Sequence, residues 1–278
     1  MTRWWHQDDR TLLRLSGTDT RRLLQGIVTN NIDHLDTQPA IFSLLLTPQG
    51  KLLHDFFLIA DGEDVLVDIA TTHAAAWQKK LTMYRLRADM TITQPEDWHV
   101  YTSPDGAITP HGISFIDPRY HALGSRMAVQ GTPDITIHGD ATSYDGWRLQ
   151  HGIAEAAHDM IDGRSFALEM HYDTLHAIDF HKGCYVGQEV TARAKHRGTL
   201  RKQMLPIHSD TPLPPPDTPL YAGEQEIGRM RSSRENIGIG LIRLDAWDAA
   251  LEAGQYITAA GQKVTITRPE WVPAPASA

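Results

Sequence analysis

The sequence has one cysteine, no long apolar run and no excess of positive charge, and each absence excludes a class of protein. Cys184 cannot form an internal disulfide, which favours a reducing compartment and leaves a free thiol to explain. No apolar stretch is long enough to cross a bilayer, so we expect no membrane partner. The formal net charge of −8 argues against general nucleic-acid binding, which requires a basic face for phosphates.

The chain also lacks the motifs of several common enzyme classes. It has no Gly-x4-Gly-Lys-Ser/Thr loop, no Gly-x-Ser-x-Gly elbow and no His-Glu-x-x-His pair. His171, His176 and His181 are spaced by five residues, which turns their side chains apart on a helix, so we predict no metal site. The first ten residues lack the apolar core of a leader segment, and with the single cysteine they indicate a cytoplasmic location.

The remaining features are those of a folded globular protein. The 278 residues are 41% hydrophobic and 22% charged, near the average for such proteins. Turns at 47–50 and 61–64 separate strand-like segments, which predicts an antiparallel meander over 41–70, and a helix is predicted over 73–84. Strands and helices do not alternate regularly, so the fold class is α+β.

A proline run at 209–219 is the strongest break in the chain, because clustered prolines prevent helix formation and sheet pairing. Strand candidates separated by glycine-rich turns follow it, around 226–232, 238–244 and 263–267. They predict a small β-barrel or sandwich. Residues 273–278 are prolines, alanines and one serine, and we predict a disordered tail there.

The most unusual local pattern is His-Lys-Gly-Cys-Tyr-Val-Gly-Gln-Glu at 181–189. Cys184 follows Lys182 and a glycine, and it precedes a helix predicted over 188–197. A thiol near cations and a helix N-terminus is stabilised as the thiolate. Two interpretations of Cys184 are open: a small inert residue, or a functional thiol that reacts or contacts a metal.

Two further patterns each allow a structural and a functional interpretation. Positive charge concentrates at 193–202, where Arg193 and Arg197 share a predicted helix face. This tract is either a solvated surface or an anion site for a polyglutamate or phosphate tail, or for an acidic or RNA-bearing partner. Asp55, on a predicted strand, is either structural or a carboxylate for proton transfer or pterin binding.

Several motifs together resemble the YgfZ family of folate-binding proteins. The longest is Lys182-Gly-Cys-Tyr-x-Gly-Gln-Glu189, which continues into Ala192-Arg-Ala-Lys-x-Arg-Gly198. Further similar segments lie at 24–30, 46–51, 55–57, 148–153, 227–233 and 240–245, so the resemblance covers nearly the whole chain. It extends to the wider superfamily that contains the aminomethyltransferase of the glycine cleavage system.

The resemblance implies an aminomethyltransferase-like, multidomain α+β fold. Residues 1–200 would form two interleaved α+β domains, the inner one about 36–104, around a channel that holds tetrahydrofolate or a derivative. Residues 201–278 would form a β-barrel with the tail. The implied function is an accessory protein, not a conventional enzyme, that supports assembly or repair of iron–sulfur clusters in client enzymes, including those that modify transfer RNA.

The resemblance also implies roles for individual residues. Cys184 would be the functional thiol together with Lys182, in a loop shaped by Tyr185, Gln188 and Glu189. Partners would be folate and either client enzymes or cluster-assembly proteins. The implied folate contacts are Asn30, Asp55, Gln150, Arg193 and Arg197.

Two alternatives stay open: a pure binding scaffold that takes no folate, and a folate-dependent aminomethyltransferase or demethylase that acts on a small amine. This chain has His54-Asp55 where the aminomethyltransferase has two adjacent aspartates, and Gln150 where it has a glutamate that grips the pterin. A neutral amide still forms hydrogen bonds but supplies no negative charge. Both differences weaken the case for aminomethyl transfer.

Overall fold

The computed structural model describes residues 2–198 and 200–272, so the tail predicted at 273–278 lies outside the described residues. Within those ranges, no helix has the length and apolar character needed to cross a membrane. The strands are, in chain order, β1 (Trp4–His6), β2 (Arg10–Ser16), β3 (Ala40–Leu46), β4 (Leu52–Asp61), β5 (Asp64–Ala70), β6 (Thr91–Thr93), β7 (Trp98–Ser103), β8 (Ile113–Ile116), β9 (Ser125–Gln130), β10 (Ile137–Gly139), β11 (Lys202–His208), β12 (Pro219–Ala222), β13 (Gln225–Arg234), β14 (Ile237–Arg243), β15 (Ile257–Ala259) and β16 (Gln262–Ile266).

The helices connect these strands at irregular intervals, as an α+β fold requires. Short 3-10 helices lie at Ile32–Asp36, His121–Leu123 and Ala167–Met170. The α-helices are α1 (Thr20–Ile27), α2 (Thr71–Arg85), α3 (Ala141–Gln150), α4 (Ala156–Asp159), α5 (Gln188–Arg197) and α6 (Leu244–Glu252).

The first sheet, which we call sheet I, has the strand order β3-β4-β5-β2-β6, with every neighbouring pair antiparallel. This confirms the predicted meander. Both faces are covered, and successive residues of β4 face opposite sides. Phe56 packs edge-on against Trp77 of α2, at 5.4 Å between ring centroids, whereas Phe57 packs against Phe42 on the other face at 5.0 Å.

The second sheet, sheet II, has the order β10-β1-β7-β9-β8, in which only β1 and β10 pair in parallel. The chain starts in sheet II with β1, builds sheet I, and returns to sheet II at β7, so the two sheets are interleaved along the sequence. The predicted inner domain, residues 36–104, does not coincide with sheet I. Strand β2 lies before residue 36 but pairs in sheet I, and β7 lies within 36–104 but pairs in sheet II. The division into domains stays a prediction.

Residues 202–266 form a closed barrel with the order β11-β14-β13-β12-β15-β16, which confirms the predicted C-terminal barrel. Its core includes Leu205, Ile207, Met230 and Ile242, all buried. The strands approach closely at Gly228, where an added Cβ atom would lie 2.5 Å from the Leu241 carbonyl oxygen. Glycine is therefore required at this contact.

Candidate functional site

Lys182 belongs to the Cys184 loop, which we define as residues 181–189. Its side chain is buried, and Nζ donates hydrogen bonds to the carbonyl oxygens of Val28, at 2.7 Å, and Asn30, at 2.6 Å. Burial lowers the pKa of Lys182 to about 8, and nearby Asp179 opposes this shift. The lysine thus ties the loop to the chain that follows α1.

Side chains of the Cys184 loop alternate between interior and surface. The Cys184 thiol is free and exposed, while the next residue, Tyr185, is buried with its ring centroid 5.4 Å from Lys182 Nζ. Burial raises the pKa of Tyr185 to about 12. Two buried side chains therefore hold the loop from below and leave the thiol on the surface.

The loop continues directly into α5, which begins and ends as predicted. Gly187 precedes the helix with φ +85°, and an added Cβ would lie 2.6 Å from the Thr47 carbonyl oxygen. On the facing turn, Gly50 has φ +73°, and its Cβ would lie 2.8 Å from Val190 Cβ. The two glycines therefore let the turn at 47–50 and the start of α5 pack in direct contact.

A cavity of about 740 Å³ adjoins the loop through His181. Asn30 contributes to its wall, and the Asn30 Nδ2 atom donates to the carbonyl oxygens of Phe42 and His176, each at 2.8 Å. Asp179 Oδ1 accepts a hydrogen bond from the His181 backbone N–H at 2.7 Å. The other lining residues combine polar and apolar side chains: His34, Gln38, Ile41, Pro118, Ile178 and Phe180.

The cavity histidines do not form a metal cluster. Throughout residues 2–198 and 200–272, no three histidine, cysteine, aspartate or glutamate side chains are grouped so that they could hold a metal ion. The nearest pair across the cavity is His34 Nε2 and Asp179 Oδ2, 3.5 Å apart.

Asp55 is buried away from this cavity. Its Oδ2 atom accepts hydrogen bonds from the Ala156 backbone N–H at 2.9 Å and from the Tyr172 hydroxyl at 2.6 Å. Burial raises the pKa of Tyr172 well above its usual value, so this hydroxyl remains a donor. The carboxylate therefore joins β4 to α4 and to the chain near Tyr172.

A buried network of charged groups lies beside Asp55, and no local sequence pattern signalled it. Arg119 pairs with Asp117 and with Glu155, each at 2.7 Å, and its guanidinium lies over the Phe57 ring at 4.8 Å. Burial alone would raise the pKa of Glu155, but Arg119 and other arginines hold it well below its usual range. The buried network, as we use the term, comprises Arg10, Asp68, Asp117, Arg119, Arg126, Tyr144 and Glu155.

The remaining predicted folate contacts lie on other surfaces. Gln150 is exposed and lines a separate cavity of about 440 Å³ next to the barrel. Arg193 is exposed and pairs with Glu189 at 2.5 Å, and Arg197 is exposed on the same helix. Of the five residues, Asn30 alone lines the 740 Å³ cavity beside the loop. Their roles as folate contacts stay predictions.

Comparisons with known proteins agree with this architecture. Residues 201–274 match the family described as CAF17, C-terminal beta-barrel domain. The crystal structure of glycine cleavage system aminomethyltransferase T from Bartonella henselae superposes with a TM-score of 0.74, covering 98% of this chain and 86% of that one at 12% identity. At this identity the likeness establishes the fold alone, and it confirms the aminomethyltransferase-like α+β fold.

Sequence relatives are named as iron–sulfur cluster assembly factors. The IBA57 homolog of Pyricularia oryzae is 30% identical over 88% of this chain and 75% of its own length, and human IBA57 is 29% identical over 96% and 84%. The homolog of Neurospora crassa is 32% identical over 71% of this chain, which spans only 51% of that relative.

These relatives correct one prediction and identify the family. All three are named mitochondrial, so the predicted cytoplasmic location is wrong. The prediction rested on a single cysteine, which indicates a reducing compartment and does not distinguish the cytoplasm from the mitochondrial matrix. With the Pyricularia relative 30% identical over three quarters of its length, the chain belongs to the IBA57 family of iron–sulfur cluster assembly factors.

Proposed function

We propose that the protein is a folate-binding accessory factor of the YgfZ type that supports assembly or repair of iron–sulfur clusters in client enzymes. One observation carries the proposal: an exposed thiol, Cys184, on a loop fixed from below by buried Lys182 and Tyr185. The family membership supplies the cluster context, and the clients would include enzymes that modify transfer RNA.

A fixed, exposed thiol suits a protein that acts on a partner. The thiolate is the form of cysteine that binds iron or attacks a disulfide, and it must be accessible to do either. A cluster usually requires about four protein ligands, so Cys184 supplies one and a partner supplies the others. The site is therefore complete only in a complex.

The cavity beside the loop is a better candidate site for tetrahydrofolate or a derivative than the second cavity at Gln150. Its volume of about 740 Å³ lies within the range of roughly 300–1,000 Å³ typical of small-molecule sites. Pro118 and Phe180 provide apolar surface for a flat heterocycle, and the Asp179 carboxylate can accept hydrogen bonds from its amino and ring N–H groups. When bound, tetrahydrofolate would supply a reduced pterin and a carrier for one-carbon groups.

Titration calorimetry with tetrahydrofolate tests the folate proposal. Phe180→Ala removes a wall of the cavity beside the loop and should weaken binding about tenfold, whereas Gln150→Ala tests the second cavity, where the resemblance implies a pterin contact. Absence of heat with the unaltered protein would refute folate binding. A loss of affinity in Gln150→Ala alone would move the ligand to the second cavity.

Deleting the gene tests the cluster proposal separately. Cluster-dependent enzymes, including those that modify transfer RNA, should lose activity under oxidative stress and regain it when the gene is restored. Normal activity without the gene would contradict the proposal. This result does not depend on whether folate binds.

A folate-dependent one-carbon transferase is the less supported alternative. It would require Asp55 as an available carboxylate, but this side chain is buried and already accepts two hydrogen bonds. Turnover of a methylated or aminomethylated amine to methylene-tetrahydrofolate, abolished by Asp55→Asn, would establish the alternative.

A further inference from the structure

A narrow apolar groove runs between α5 and the 3-10 helix at Ala167–Met170. We call it the α5 groove and define it by Phe166, Leu168, Val190, Ala194 and Leu200. Val190, in the first turn of α5, is 37% exposed. The groove encloses about 200 Å³, below the roughly 300–1,000 Å³ of small-molecule sites, so it suits a single apolar side chain better than a cofactor.

Cations border this groove on the side formed by sheet I and the barrel. Lys51 Nζ lies 3.4 Å from the centroid of the Phe166 ring, and Arg201 is part of the groove wall. Glu169 also lines the groove; burial raises its pKa, while Lys202 and Lys51 are close enough to oppose that shift. Three cationic side chains thus converge on one end.

The helix adds cations to the other side. Arg193 and Arg197 follow Val190 by three and seven residues, which places them on the same helix face. Arg193 is partly neutralised by Glu189, whereas residues 188–202 as a whole contain five lysines and arginines and one acidic residue. This segment is therefore positively charged, although the chain as a whole has a net charge of −8. We call Lys51, Arg193, Arg197, Arg201 and Lys202 the basic rim.

We propose that the α5 groove and its basic rim bind an acidic segment of a partner protein, with one apolar side chain of that segment inserted in the groove. Charge complementarity selects the acidic segment, and the apolar lining selects the apolar anchor. A nucleic acid fits less well, because Lys51 Nζ already lies 3.4 Å from the centroid of the Phe166 ring, and the protein as a whole repels a polyanion. A γ-glutamyl tail has the charge but no apolar side chain.

Fluorescence anisotropy with labelled peptides tests this proposal on the full-length protein. The probe is a heptapeptide with leucine at the centre of six glutamates. It should bind, and the same peptide with glycine at the centre should bind at least about fivefold more weakly. Raising the salt concentration should weaken binding of the leucine probe by at least about fivefold as well. A version with lysines in place of glutamates should not bind.

Variants then locate the binding surface. Arg197→Glu combined with Arg201→Glu should weaken the leucine probe about tenfold or more, and Ala194→Met, which fills the groove, should weaken the leucine probe but not the glycine one. The control pair Lys79→Glu and Arg87→Glu, exposed positions within and just after α2, changes net charge equally and should leave affinity unchanged.

Three results would overturn the proposal. The first is equal weakening by the control pair and the rim pair. The second is a ligand preference that does not depend on the apolar anchor. It would be seen as equal affinity for the leucine and glycine probes, or as tighter binding of tri-γ-glutamate than of the leucine probe, and the latter would assign the rim to a folate tail. The third is tight, rim-dependent binding of a single-stranded RNA oligonucleotide without binding of the leucine probe.

Discussion

The buried network and the Cys184 loop both contain buried charged groups, but these groups have different surroundings. In the network, each of Arg119, Asp117 and Glu155 has a partner within the protein and is closed off from solvent. In the loop, buried Lys182 fixes the backbone while the adjacent thiol remains exposed. The difference indicates that the network contributes to stability, whereas the loop leaves a thiol accessible to other molecules, as the proposed function requires.

Arg119→Met should give the largest effect, because it leaves Asp117 and Glu155 buried without a cation. We expect the free energy of unfolding to fall by about 3–5 kcal/mol, measured by urea denaturation. Arg3→Met is the matched control: Arg3 pairs with Asp105 at the surface, and its loss should cost less than about 1 kcal/mol. Equal losses in the two variants would show that the network is not the stabilising region.

The pH dependence of stability tests another closed part of the interior. Burial and then neighbouring His73 lower the pKa of His54 from 6.5 to about 4. Between these values the unfolded chain binds a proton that the folded protein does not, so this contribution is fully present above pH 6.5 and is lost as pH falls towards 4.

We expect this titration to account for up to about 3 kcal/mol of stability between pH 6.5 and 4. Urea unfolding at a series of pH values should therefore give a shallower acid dependence for His54→Leu than for the unaltered protein. An unchanged slope would mean that His54 is protonated in the folded state.

Lys182→Met sharpens the comparison at the loop. It leaves the carbonyl oxygens of Val28 and Asn30 without their buried donor, which should cost about 1–3 kcal/mol. The loop should also loosen, so Cys184 should react with a disulfide reagent at a changed rate. The control Lys195→Met removes an exposed pair with Asp173 and should change neither quantity appreciably. If the thiol rate is unchanged in Lys182→Met, the lysine does not fix the loop.

Local patterns were sufficient for the elements with clear boundaries. Helix α5 begins and ends as predicted because Gly187 and Gly198 flank it, both with positive φ. The meander followed from its turns, and the barrel from short strands between glycines. By contrast, the start of α1 depends on a distant residue: Asp19 precedes the helix without a side-chain cap, and the Thr18 hydroxyl donates to Asp89.

Tertiary arrangement could not be read from the sequence. The buried network joins residues from Arg10 to Glu155, and no spacing signals such distant pairs. The local pattern singles out Cys184, but the burial of nearby Lys182 depends on carbonyl groups at 28 and 30, far away in sequence. The predicted folate contacts rest on a resemblance of sequence motifs, and the fold places them far apart: Asn30 and Gln150 line different cavities, and Asp55 is buried.

Replacing Cys184 by alanine tests the central claim most directly. The side chain is exposed, so the free energy of unfolding should change by less than about 0.5 kcal/mol. In cells that lack the gene, this folded variant should restore none of the activity of cluster-dependent enzymes under oxidative stress, whereas the unaltered protein restores it. Full restoration by Cys184→Ala would contradict the account.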